Sequence, residues 1–194
     1  EFRRVLFRSE PDGLVLVTGP RLSGKRTLMA AFVDHINRTR HVHIITVERD
    51  VNIVHERAGS MVSQRQADSP EAVAKAVRSA MREDPDVLVI EGVRTPELVD
   101  LAFDAASMGR LVICSFPAPS ASAAVDGIID LLPASERPRV LLALSRYLRG
   151  VVAQVLLKKS AGGRLAAREL LLNTPRSEEH TSELQSRFGI SYAV

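Results

Sequence analysis

The sequence predicts an α/β fold, a mostly parallel sheet with helices on both faces, and three observations predict it. Short apolar runs alternate with longer stretches of helical period along most of the chain. Several of the runs are apolar at every residue rather than at every second one, as in strands buried on both faces. The first run feeds a glycine-containing loop that ends in Gly24-Lys25 and opens a helix, which is the strand, loop and helix of a phosphate-binding P-loop.

In that opening unit Leu14-Val15-Leu16-Val17 is the strand, running through Thr18 into Gly19, and a helix-compatible stretch follows from Arg26 to Arg40. Glycines let backbone N–H groups converge on a polyphosphate, a lysine reaches its outer oxygens, and a helix N-terminus favours the negative charge. Gly19, Gly24 and Lys25 supply these parts. The position after the lysine should be Ser or Thr, whose hydroxyl binds Mg²⁺, and here it is Arg26. Thr27 comes one place late, about 100° further round the helix, so it is no simple substitute.

Leu28, Phe32 and Ile36 mark the buried face of this helix. The β-branched run His41 to Val47 predicts a second strand closed by Glu48-Arg49-Asp50, and Met61 to Gln66 a short edge strand. Ser69-Pro70-Glu71 opens the next helix with an N-cap, a first-turn proline and an acid at the positive end of the dipole. Ala72, Val73, Ala76, Val77 and Met81 form its expected stripe. Asp86 to Glu91 is a buried strand ending in an acid, and Thr95-Pro96-Glu97 opens a helix reaching Gly109. Leu111 to Cys114 is another apolar strand. The pattern then reads helical from Ala121 to Leu132 and again from Pro138 to Leu157, and after the Gly162-Gly163 turn Arg164 to Leu172 is a last strand.

With 45% apolar residues the chain can build one proper core. Its 26 basic and 23 acidic residues are too balanced to argue for nucleic acid. A single cysteine, Cys114, leaves no internal disulfide and suits a reducing, intracellular setting. No apolar run is long enough for a membrane helix, so direct membrane insertion is not expected. The two ends look foreign. EFRRVLFRS at residues 1–9 resembles a translated short-read sequencing adaptor, RSEEHTSELQS at 176–186 resembles the partner adaptor, and ISYAV at 190–194 resembles its continuation. Residues 1–9 and 176–194 are therefore expected to be adaptor-like artefacts, and 10–175 one core domain truncated at both ends.

The stretches GLVLVTGP, DHINRTRHVHIIT, REDPDVLV, AASMGRLV, YLRGVVAQVLL and AARELLLNTP, taken in order, resemble the secretion-ATPase superfamily and most closely the PilT-like twitching-motility retraction ATPases of type IV pili. The resemblance implies a RecA-like P-loop NTPase core, ATP with Mg²⁺ as cofactors and a hexameric ring of like or unlike subunits. It also implies work with the pilus machinery at the cytoplasmic face of the inner membrane.

Carried over residue by residue, the nucleotide-binding positions are Gly19, Pro20, Ser23, Gly24, Lys25, Arg26 and Thr27, and the catalytic candidates are Glu48, Glu91 and Arg94. Arg21, Leu22 and Arg26 stand where the family loop has Thr, Gly and Ser. Asn52 replaces the second glutamate of the acidic box, and Glu91-Gly92 inverts the family's Gly-Glu. By strand parity Glu91 then leaves the family's catalytic position and reaches instead the place from which other P-loop enzymes hold the Mg²⁺ shell, through water. Phe116-Pro117-Ala118-Pro119 replaces the family's histidine box, Leu-His-Thr-Asn. Arg94 has the arginine place after this strand, and Arg149 and Gln154 match family positions on an expected helix. These departures predict a nucleotide-binding subunit with weak or lost hydrolysis. The alternatives are an active ATP-hydrolysing motor and a structural or regulatory ring subunit that binds no nucleotide.

Overall fold

A computed structural model describes residues 12–160 and 162–173. The stretches 1–9 and 176–194 lie outside the described residues. Seven strands make one sheet in the order β3-β2-β4-β5-β1-β6-β7. In chain order these are β1 (Gly13–Thr18), β2 (His43–Glu48), β3 (Met61–Gln66), β4 (Val87–Ile90), β5 (Leu111–Phe116), β6 (Leu148–Lys158) and β7 (Arg164–Leu172). Every pairing is parallel except β6 with β7, which form an antiparallel hairpin.

The helices are α1 (Lys25–Thr39), α2 (Pro70–Met81), α3 (Pro96–Ser107), α4 (Ala121–Leu131) and α5 (Arg137–Tyr147). Strand residues of one parity, among them Val15, Val17, Ile44, Val89 and Ile113, pack on α1 through Leu28, Phe32 and Ile36. The other parity, Leu14, Leu16, Ile45, Leu88 and Val112, packs on α2 to α5. Both faces are thus buried, which explains why the central strands read as unbroken apolar runs. Cys114 sits fully buried in the second of these cores, where burial pushes its thiol pKa up, so it serves as a small core residue.

Ser69 and Thr95 cap their helices as the sequence predicts, each side-chain oxygen accepting from a backbone N–H three residues on, with proline at the first helical position. On α2 the buried set is Val73, Ala74, Val77 and Ala80, so the stripe is rotated from the expected one, with Ala72, Ala76 and Met81 at its margin.

One expectation is overturned. The stretch from Pro138 to Leu157 is not a single helix: α5 ends at Tyr147, and Leu148 begins β6. Gly150 and the β-branched Val151, Val152 and Val155 disfavour helix and fit a pleated surface. Burial then decides, because β6 lies between β1 and β7 with Val151 and Val152 almost wholly covered. Arg149 and Gln154 are consequently strand residues.

Candidate functional site

Because β1, β2, β4 and β5 are parallel neighbours, their carboxyl ends share one edge of the sheet, and the loops after them meet there. β1 delivers Gly19, whose φ of 144° opens the loop, and Gly24 with φ 83° closes it as the residue before α1. Gly19 has no room for a side chain, since a Cβ would collide with the backbone carbonyl oxygen of Gln154 on β6. Leu22 also has positive φ, 61°, and is 85% exposed.

The start of α1 runs against ordinary helix chemistry. No side chain caps it, no acid lies in its first turn, and its first two residues are Lys25 and Arg26. Basic residues at a helix N-terminus face the positive end of the dipole, an arrangement that an anion relieves. Lys25 Nζ folds back to donate to the carbonyls of Gly19 at 2.7 Å and Pro20 at 2.6 Å. Burial lowers the pKa of Lys25, Arg94 lowers it further and Glu91 opposes both. A bound phosphate would restore the balance towards the ammonium form.

Arg26 pairs with carboxylates instead. Its Nε pairs with Glu91 Oε1, and its Nη2 lies 3.7 Å from Asp50 Oδ2. The second Glu91 oxygen accepts from the Arg49 backbone N–H at 2.9 Å. Glu91 follows β4 with the parity of Val89, which packs on the α1 side, and its carboxylate meets Arg26 of α1. Glu48, the last residue of β2, accepts from Thr46 Oγ1 at 2.7 Å and from Gln64 Nε2 at 3.1 Å. Arg26, Thr46, Glu48, His55 and Glu91 line one narrow cleft beneath α1.

Of the other candidates, Ser23 is buried and its carbonyl takes part in holding the loop. Thr27 is exposed and lines a separate groove with Ile53 and Val54, away from Glu91. Arg94 is exposed but close enough to Lys25 to act on its charge. Asn52 bonds only locally, to the Asp50 carbonyl. The Ala118 carbonyl accepts from Thr18 Oγ1 at 2.9 Å. Arg149 lies at the opposite edge, bonded to Asp12, and has no place in the site.

Two supporting residues, Gln64 and Arg168, escape the sequence reading, which places a third, Gln154, on a helix. Gln154, 4% exposed, donates from Nε2 to the Ser23 carbonyl at 2.7 Å, and its Oε1 accepts from Arg168 Nε at 2.7 Å. It therefore ties the phosphate loop to β6 and β7. Gln64 on β3 holds Glu48, the Ile53 carbonyl and the His55 N–H together. A strand assignment for residues 148–157 would have aligned Gln154 with the end of β1 and exposed its role; nothing local marks Arg168 or Gln64.

Comparison with known proteins matches residues 1–191 to a family described as Type II/IV secretion system protein. The chain is 42% identical over 175 residues to a type IV pilus retraction ATPase, PilT, of Pseudomonas aeruginosa, covering 90% of this chain and 50% of that protein. It is 42% identical over 167 residues to a twitching motility protein of Neisseria gonorrhoeae, covering 85% and 45%. Among solved structures, that of the pilus retraction motor PilT with bound ADP superposes with a TM-score of 0.83 at 38% identity, covering 91% of this chain and 51% of that one. The chain spans about half the length of the relatives it matches. The fold is the RecA-like P-loop core that the motif order implied.

Proposed function

The chain belongs to the Type II/IV secretion system protein family, and on that premise we propose that it is the nucleotide-binding core of a PilT-like retraction-ATPase subunit in which ATP hydrolysis is weak or lost. Lys25, the turns at Gly19 and Gly24, and the uncapped start of α1 would receive the phosphates. Support for nucleotide as the ligand comes from these parts together and from the ADP in the PilT structure. A ring of six subunits acting with the pilus machinery at the cytoplasmic face of the inner membrane belongs to the same reading. Among the described residues no helix is long and apolar enough to cross a membrane.

One observation carries the loss of hydrolysis: Glu91 has both carboxylate oxygens, and Glu48 one, on protein donors. Glu91 is held by Arg26 and the Arg49 N–H, and Glu48 by Thr46 and Gln64. Hydrolysis needs a carboxylate that can orient and polarise water, and loss of such a base costs about 10²–10⁴ in rate. Asn52 takes no proton, and the histidine box holds no imidazole to stand in.

The test compares the parent chain with a variant carrying Arg26→Ser, Leu22→Gly and Gly92→Glu. Single-turnover ATP hydrolysis and fluorescent-ADP binding are measured on both. The parent should bind ADP and turn over ATP at least tenfold more slowly than the repaired chain, a threshold below the about 10²–10⁴ expected for a lost base. Equal, Mg²⁺-dependent turnover would make the chain an active motor, and absence of binding would make it a nucleotide-free ring subunit; either result overturns the proposal.

A further inference from the structure

The Mg²⁺ that P-loop ATPases use is held between the hydroxyl after the P-loop lysine and an acid at the end of a nearby strand, where it bridges phosphate oxygens. Those two places are Arg26 and Glu91 in this chain, and they are in contact with each other. A guanidinium has five N–H donors, no acceptor and no accessible neutral form, so it ligates no metal. It also brings its own positive charge to the spot where the metal's charge would sit. Mg²⁺ demands about six oxygen ligands at about 2.0–2.1 Å, and the hydroxyl that would supply one is gone. The donor set of this site does not fit Mg²⁺.

It does fit a fixed organic cation. Glu91 is only 14% exposed at its side chain and is steadied by the Arg49 N–H, so it makes a firm anchor for Nε of Arg26. The guanidinium is a planar fork, and with Nε anchored its terminal nitrogens are bound no more closely than the 3.7 Å approach to Asp50. Those nitrogens match the bidentate geometry of a phosphate. Lys25 is the adjacent residue, on the same uncapped helix start. The two cations bring two positive charges, one fewer than a lysine and a divalent ion bring to an ordinary P-loop.

We propose that Arg26, anchored on Glu91, takes the place of the divalent cation, so that the site binds a nucleoside di- or triphosphate free of metal. This rests on the nucleotide-binding reading above, and the test separates the two. Equilibrium binding of fluorescent ADP is measured for the parent chain, Arg26→Ser and Arg26→Gln, each in excess Mg²⁺ and in EDTA. Electron paramagnetic resonance of Mn²⁺ reports whether metal joins the complex, and circular dichroism confirms that each variant is folded. The parent should bind ADP with the same affinity, within about twofold, in both conditions and should leave the Mn²⁺ signal unchanged. Both variants should lose about tenfold or more in EDTA, as expected for a charge-assisted contact. Arg26→Ser alone, with its restored hydroxyl, should regain affinity with Mg²⁺.

A parent that binds ADP only with Mg²⁺, or that immobilises Mn²⁺, overturns the cation replacement while leaving nucleotide binding intact. Unchanged affinity of both variants in EDTA overturns it in the same way. A parent that binds in neither condition beside an Arg26→Ser that binds with Mg²⁺ shows Arg26 obstructing the site, and both readings then fall.

Discussion

Truncating Gln154 to alanine removes the amide that joins the phosphate loop to β6. The Ser23 carbonyl loses a donor at 2.7 Å inside the protein, and leaving a buried acceptor unmet costs about 1–3 kcal/mol. Arg168 is on the surface and has water to turn to, so it adds little. With a urea dependence of about 2 kcal/mol per molar, the unfolding midpoint should drop by about 1 M. Gly24→Ala carries a different cost: φ of 83° is left-handed, at about 1–2 kcal/mol for a residue with a Cβ, and that Cβ would lie 2.8 Å from Gln154 Nε2. Once the amide is gone, the collision disappears and only the backbone cost remains. The double variant should therefore be less destabilised than the sum of the singles by about 0.5–1.5 kcal/mol. Gly19→Ala is the control, because its Cβ would meet the backbone carbonyl of Gln154, which truncation leaves in place. Urea unfolding followed by far-ultraviolet circular dichroism suits a chain with no Trp. Additivity of Gly24→Ala and Gln154→Ala within about 0.3 kcal/mol would refute the packing argument.

Two further predictions concern stability. Burial lowers the pKa of His55 below the ordinary 6.5, against the pull of Glu48 and Asp34. The unfolded chain then binds the extra proton first, so the neutral imidazole's contribution is complete above about pH 6.5 and is lost as pH falls through the folded value. Melting curves from about pH 7.5 to 5 should show a shallower acid slope for His55→Asn than for the parent, and parallel slopes would contradict the assignment. Leu22→Gly should stabilise by about 0.5–1 kcal/mol, since relief of a left-handed residue exceeds the entropy that glycine adds to the unfolded chain. Gly92→Glu, at φ 78° with open space around it, should cost about 1–2 kcal/mol, and the reverse order of the two in urea unfolding would rule out backbone strain as their cause.

Most of the sheet was legible because its central strands are buried on both faces and two of the intervening helices begin with Ser-Pro-Glu or Thr-Pro-Glu. The phosphate loop was legible because its chemistry is local, with Gly19, Gly24 and Lys25 within seven consecutive residues. The passage from α5 to β6 was not, since Tyr147 and Leu148 are adjacent and no turn residue separates helix from strand. An apolar run of that length satisfies a helical period until something outside it, here β1 and β7, supplies a ladder. The direction of Arg26 was equally hidden. A guanidinium on the phosphates and one filling the site are the same letter, and only the approach of Glu91, 65 residues on, gives it an anchor.

The bond from Gln154 to Ser23 spans 131 residues. At a synthesis rate of about 5–20 residues per second, the loop is synthesised roughly 7–26 s before its amide support. During that interval β1 lacks its neighbour β6, whose Val152 pairs with Val17, and the loop lacks both the amide and the backbone wall that shape Gly19. Closing so long a loop is slow relative to local helix formation, so the phosphate cradle is among the last parts of the molecule to become native. A nascent chain halted before Gln154 would already carry every letter of its P-loop motif and still have no formed anion site.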